Sequence, residues 1–261
     1  MPVLQVRKFK SDEPFFLVRF TGKEYPLADR AKGAPLTLAK CLRLSSPQYY
    51  RGIEQEGKRD ADEATAIIEG ELSYQSDSQW IPLPTIDGLI RMRYDAGYIL
   101  CLSYVMNAKV PSTEEIGQMI NQPTNLNGLL HGSNHLFYNG KEPADWVLNV
   151  LAVSPERFAH VLEKEVSRHL HRTITVYHGP CHYYDKGNPP IHRKHVGGGK
   201  FRDMGILYYF EKEKSYQSEQ EYRFVVMVEG EEQQNTRPLL DVPFSPELKE
   251  CFAYSIELRM Q

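Results

Sequence analysis

Glu219-Gln220-Glu221-Tyr222-Arg223 runs directly into the apolar Phe224-Val225-Val226-Met227-Val228. In an extended strand, residues two apart point the same way, so Glu219, Glu221 and Arg223 are expected on one face. Two carboxylates and a guanidinium on a core-facing surface are costly unless they are paired or put to work. The motif is therefore the first place to look for chemistry, although it names no reaction by itself. The same charges also suit a plain salt bridge, along the strand or across to a neighbour.

Other residues offer rival chemistries. Asp60 and Asp62 could join Glu219 and Glu221 around a hard cation such as Mg²⁺, which would suit a metal-dependent nuclease. No spacing rule supports that union. Cys181, His182, His192 and His195 include zinc-type ligands, but adjacent Cys-His is not the usual chelating spacing and a second cysteine is missing. Gly197-Gly198-Gly199-Lys200 resembles a phosphate cradle without the full G-x-x-x-x-G-K-[ST] pattern. A basic flap from His192 to Arg202 closing on an anionic ligand, or on a partner of a non-enzymatic binding module, is the sharper reading of that loop. There is no G-x-S-x-G elbow and no H-E-x-x-H helix. Charges around Arg51, Glu54, Arg59, Asp60, Asp62 and Glu63 suit either the rim of a cleft or the solvated face of a helix.

The elements that must position these groups are mostly strands. Phe15 to Phe20, Leu42 to Ser46, Gly88 to Tyr94, Tyr98 to Tyr104, Trp146 to Val153, Arg172 to His178, Glu221 to Glu229 and Tyr254 to Arg259 read as strands. The nearly continuous apolar run from Tyr98 is typical of a central one. Ser154-Pro155 reads as an N-cap followed by proline at the first helical position, and Phe158, Val161, Leu162, Val166 and Leu170 recur at helical spacing. Shorter helices are expected from Ser112 to about Asn121 and from Gln48 to Gly57. Phe201 to Phe210 suits helix or strand. Tyr74 to Asp87, Pro123 to Pro143 and Asp185 to Lys200 read as long loops.

With 261 residues, 41% hydrophobic and 25% charged, the chain can bury a substantial core and is not a disordered sequence. A formal net charge of -3 gives no general footprint of a duplex-binding protein. Cys41, Cys101, Cys181 and Cys251 are far apart, which fits reduced thiols. With no apolar leader and no run of ~18 apolar residues, the expectation is a soluble cytoplasmic protein without a membrane span. Sixteen tyrosines against two tryptophans suit β-rich structure with half-buried rings, or a cleft whose rings stack on a ligand. The expected fold is one α+β domain over residues 1–261. Its core would be mixed or antiparallel and β-rich, a split sheet or sandwich, with a few flanking helices.

Three pieces in chain order resemble the NAD-binding core of ADP-ribosyltransferases of the arginine–serine–glutamate type. Phe16-Leu17-Val18-Arg19-Phe20 resembles the first strand with its arginine. Leu100-Cys101-Leu102-Ser103, or Leu44-Ser45-Ser46, resembles the serine-bearing strand end, with Ser103 better placed. Glu219-Gln220-Glu221 resembles the E-x-E element. The chain departs from that family in lacking Ser-Thr-Ser, and its Tyr177-His178-Gly179 comes too late for a first strand. It is also similar to an uncharacterised bacterial domain family that closes on an acidic-x-acidic-x-Arg strand, a likeness that includes Glu211-Lys212 and Tyr216. The first resemblance implies an enzyme, of the toxin or phage-defence effector kind, that moves ADP-ribose from NAD to a protein or nucleic acid. It implies Arg19 on the pyrophosphate, Tyr49 or Tyr50 on the nicotinamide, and Ser103 at the cofactor. Glu221 would hold the ribose and Glu219 the acceptor.

Overall fold

The computed structural model describes residues 4–5, 15–22, 40–52, 63–69, 73–76, 79–82, 85, 89–106, 146–188, 190–193, 205–230 and 237–258. The strands in chain order are β1 (Leu4–Gln5), β2 (Phe15–Gly22), β3 (Cys41–Ser45), β4 (Thr65–Glu69), β5 (Ser73–Ser76), β6 (Gln79–Pro82), β7 (Leu89–Arg93) and β8 (Tyr98–Met106). They continue with β9 (Trp146–Leu151), β10 (Ile174–Pro180), β11 (His182–Tyr184), β12 (Ile191–Arg193), β13 (Glu211–Glu213), β14 (Glu221–Val228), β15 (Leu239–Pro243) and β16 (Phe252–Leu258). The helices are α1 (Pro47–Gly52), α2 (Pro155–Leu170) and α3 (Pro246–Lys249). Two 3-10 segments, Ile206–Phe210 and Lys214–Glu219, precede β14.

The main sheet runs β1-β10-β14-β8-β2-β9-β16, antiparallel except for β1 on β10. This is the β-rich α+β architecture expected from the sequence. The sheet forks beside β8. One flank of β8 is taken by β14, while the other meets β3 at Ile99 and β2 from Ser103 to Met106. Cys101 lies between those two pairings, at the crotch of the fork. The split matters because it opens a gap in the middle of an otherwise continuous sheet.

The two sheet faces differ sharply. On one, Tyr222, Phe224, Leu100 and Leu102 meet α2, whose Phe158 packs edge-on against Phe224 at 4.9 Å between ring centres. The Ser154 hydroxyl caps α2 by accepting from the Arg157 amide, and Pro155 fits the first turn, where no intrahelical amide bond is lost. Burying each of Phe158, Leu162 and Val166 stabilises the fold by roughly 1.5–3 kcal/mol. On the other face, Ile99 and Val225 pack with Ala64, Ile206, Tyr209 and Phe210. Gly97 makes the turn into β8 at φ +75°, and a β-carbon there would lie 2.8 Å from the Val226 carbonyl oxygen. Only glycine fits.

Some expectations change. The stretch from Tyr74 to Asp87, read as a loop, carries the β5–β6 hairpin, and β12 lies inside the stretch from Asp185 to Lys200. Both were obscured because hydrogen bonding to a partner, rather than apolar alternation, defines these short polar strands. The ambiguous run ending at Phe210 closes as a 3-10 segment. The helix from Gln48 is α1, described to Gly52. The expected helix from Ser112 and the loop from Pro123 lie outside the described residues. Among the described residues no helix is long and apolar enough to cross a membrane.

Candidate functional site

Glu221 opens β14, but Glu219 does not share its pleat. Glu219 ends a 3-10 segment, and Gln220 between them adopts a left-handed conformation, φ 44° and ψ 53°. The Gln220 carbonyl accepts from the Tyr104 amide, tying this turn to the end of β8. The carboxylates therefore converge through a turn, not through strand alternation as the spacing suggested. Their meeting point is the ammonium of Lys212 on β13, 2.6 Å from Glu219 Oε2 and 2.9 Å from Glu221 Oε2.

From there a chain of alternating charge runs inward. Arg223, with no exposed surface, donates from Nε and Nη2 to the two oxygens of Glu221 at 3.0 and 3.1 Å. Its Nη1 and Nη2 donate to Glu63 at 2.5 and 2.7 Å, and Nη1 also donates to the Tyr209 carbonyl. Glu63 is 2% exposed and Glu221 4%. The sequence Glu63, Arg223, Glu221, Lys212, Glu219 thus alternates in sign, the arrangement that offsets the cost of burying each charge.

The two carboxylates of the motif have different proton affinities. Burial alone would raise Glu221, but Arg223 and Lys212 together outweigh it and hold the carboxyl well below the usual range. Burial raises Glu219, and Lys212 offsets that only in part. Lys212 stays charged because Glu221 and Glu219 outweigh its own desolvation. Neighbouring carboxylates driven in opposite directions are the pattern of a fixed anion beside a proton carrier.

The fork brings further groups to this face. Ser103 pairs in register with Glu221, Cys101 with Arg223, and Val18 with Ser103. Arg19 follows Val18, and its Nη2 crosses the fork to donate to the Arg43 carbonyl at 3.2 Å. Its Nη1 is buried with no hydrogen-bond partner among the described residues. Burial lowers the Arg19 pKa, with the Tyr50 hydroxyl and Cys101 thiol within electrostatic reach. Cys101 Sγ donates to the Tyr50 hydroxyl at 3.6 Å. Cys181 Sγ lies 3.9 Å from Glu221 Oε2, and the Glu221 amide donates to the Tyr183 hydroxyl at 2.8 Å. Burial pushes both thiols up, so they stay protonated at neutral pH. Arg19, Tyr50, Cys101 and Ser103 are each only half-buried, whereas Glu63, Glu221 and Arg223 are covered. Solvent meets the cluster at the fork.

Tyr50, Ser103, Glu219 and Glu221 therefore lie around one polar cluster, and Arg19, which starts from the opposite pleat, reaches its edge beside Tyr50 and Cys101. Tyr49 does not join them inside it: its ring, 37% exposed, meets Tyr50 edge-on at 6.0 Å. The spacing could not separate the two, because adjacent residues on a short helix diverge by about 100°. Glu63 and Lys212 are members to which sequence reasoning assigned no role in the site, Lys212 entering only as part of a likeness to an uncharacterised family. Glu63 was one charge in a polar run, and only its position just before the buried Ala64 hinted at an inward turn.

The rival constellations fall largely outside the described residues. Asp60 and Asp62 lie outside the described residues, while Glu219 and Glu221 already share an ammonium. Cys181 is buried at Glu221 whereas His182 is exposed, and His195 lies outside the described residues. Among the described residues no group of three or more His, Cys, Asp or Glu is disposed to hold a metal ion. His178 sits on the opposite face, its Nδ1 2.8 Å from the Tyr222 hydroxyl. Most of the basic flap, from Lys194 to Arg202, lies outside the described residues.

The fold and cluster define an α+β protein with a forked, mostly antiparallel sheet and a buried ionic site at the fork. No family model, curated protein or solved structure matches the chain.

Proposed function

We propose that the chain is an ADP-ribosyltransferase-like enzyme that consumes NAD at the fork between β2 and β3. The observation that carries this reading is the gathering of Tyr50, Ser103, Glu219 and Glu221, from four separate elements, around one polar cluster, with the Arg19 guanidinium at its edge beside Tyr50 and Cys101. The donor set fits an anionic dinucleotide. Arg19 Nη1 is a buried donor without an acceptor among the described residues, which a phosphate oxygen would supply. The Tyr50 ring in the same fork offers an aromatic surface, with Ser103 beside it. Bound there, NAD would supply a glycosidic bond with nicotinamide as its leaving group.

The chain's own residues would divide the remaining work. Glu221, kept ionised by Arg223 and Lys212, accepts from a ribose hydroxyl and stabilises positive charge developing at the sugar. Glu219, with its raised proton affinity, takes the proton from the acceptor. The balanced outcome is an ADP-ribosylated acceptor, nicotinamide and a proton. A protein or nucleic acid is the proposed acceptor, and a toxin or phage-defence effector acting in the cytoplasm is the proposed setting.

A second reading is favoured by the mutual saturation of Glu63, Arg223, Glu221 and Lys212. On it the network is an ionic core that fixes β14 against β4 and β13, with no turnover. A thermal-shift titration separates the two. On the enzyme reading, NAD raises the melting temperature with the logarithm of its concentration above Kd, by the equivalent of about 2.7 kcal/mol at a hundredfold excess. A melting temperature that stays flat up to millimolar NAD supports the ionic-core reading alone.

A further inference from the structure

We infer that Lys212 is a positioning residue: its ammonium couples Glu219 to Glu221 and sets the pH at which Glu219 is free to take a proton. This rests on the reading of the site given above and adds to it the group that regulates its proton transfer. Among the described residues the ammonium is the ionic contact common to both carboxylates, at 2.6 and 2.9 Å. It is buried, and lies 4.6 Å from the centre of the Tyr216 ring, whose face favours a cation there. Tyr216 and Glu219 belong to the same 3-10 segment, so one cation fixes both the ring and the carboxylate.

The division of labour follows from the neighbours. Glu221 has a second cation, Arg223, at 3.0 Å and keeps its charge without Lys212. Glu219 has only Lys212 within ion-pairing distance among the described residues. Arg223 acts on it from further off, and Glu221 opposes its ionisation. Beyond Arg223 lies Glu63, and Cys101, Cys181 and Tyr183 face Glu221 as neutral groups. Withdrawing Lys212 therefore leaves Glu221 an anion and makes Glu219 harder to ionise. The left-handed Gln220 turns the chain between the two carboxylates so that both reach the one ammonium, and the coupling is built into the turn.

The test compares wild type, Lys212→Met and Lys212→Arg. The pH profile of nicotinamide release from NAD is read together with the Glu219 titration, followed by carbon-detected NMR on glutamate-labelled protein. Glu219→Gln assigns the resonance. In Lys212→Met the acidic limb of the profile and the Glu219 midpoint should both rise by about one pH unit or more, and Lys212→Arg should restore them. A folded Lys212→Met with an unmoved limb and midpoint overturns the inference. If Lys212→Met does not fold, Lys212→Gln, which keeps a hydrogen-bond donor and drops the charge, is read in its place: a raised midpoint supports the inference and an unmoved one overturns it. Wild type that releases no nicotinamide at any pH overturns the enzyme reading, and the NMR midpoint then decides the coupling by itself.

Discussion

Glu63 and Arg223, 160 residues apart in the chain, form a buried two-pronged ion pair, with Nη1–Oε1 at 2.5 Å and Nη2–Oε2 at 2.7 Å. The pair pins the start of β4 beneath β14, and the remaining guanidinium edge holds Glu221. Arg223 is thus the hinge between a structural pairing and the proposed site.

Replacing Arg223 should be severe because it takes the bidentate cation from buried Glu63 and leaves Glu221 to Lys212. Arg223→Met is expected to cost about 3–5 kcal/mol, the range for breaking a buried pair by removing one partner. Urea unfolding gives the value. The double variant Glu63→Met/Arg223→Met should recover part of the loss, and a double variant as unstable as the sum of its singles would contradict the pairing.

Gly97→Ala tests the entry to β8. Its φ of +75° and the 2.8 Å approach of a β-carbon to the Val226 carbonyl leave no relaxed solution. Destabilisation of roughly 1–3 kcal/mol is expected, measured as a lower urea midpoint.

His178 carries a pH dependence away from the site. Burial lowers its pKa below the ordinary value of 6.5, among Phe224, Tyr222 and α2. The unfolded chain therefore binds the proton more readily between the two values. The contribution is fully present above about pH 6.5 and is lost as pH falls through the unfolded value toward the folded one. Unfolding measured between pH 7.5 and 5 should show this loss, and His178→Gln should flatten it.

Much of the scaffold could be read from the sequence, and the reasons are local. β8 announces itself through continuous apolar residues from Tyr98, and α2 through Ser154, Pro155 and helical spacing. β14 was visible as the apolar run beyond Arg223. What failed was long-range or conformational. The positive φ of Gln220 broke the assumed pleat, because nothing in a glutamine signals a left-handed turn. The burial of Glu63 depends on a partner 160 residues away. The convergence of Arg19 with Tyr50 depends on a fork in the sheet, which no single strand's pattern encodes.

Arg19→Met separates a binding role from a structural one. Among the described residues its Nη1 has no acceptor, while Nη2 makes one bond to a carbonyl, so stability should change by no more than about 1 kcal/mol. NAD affinity should fall at least tenfold in a calorimetric titration. Unchanged affinity would remove Arg19 from the proposed site.

The most direct measurement is nicotinamide release from NAD by purified wild type and Glu221→Gln, with folding checked by circular dichroism. The account predicts turnover by wild type and a loss of about 100-fold or more in a folded Glu221→Gln. No release by wild type, or equal release by both, would contradict it.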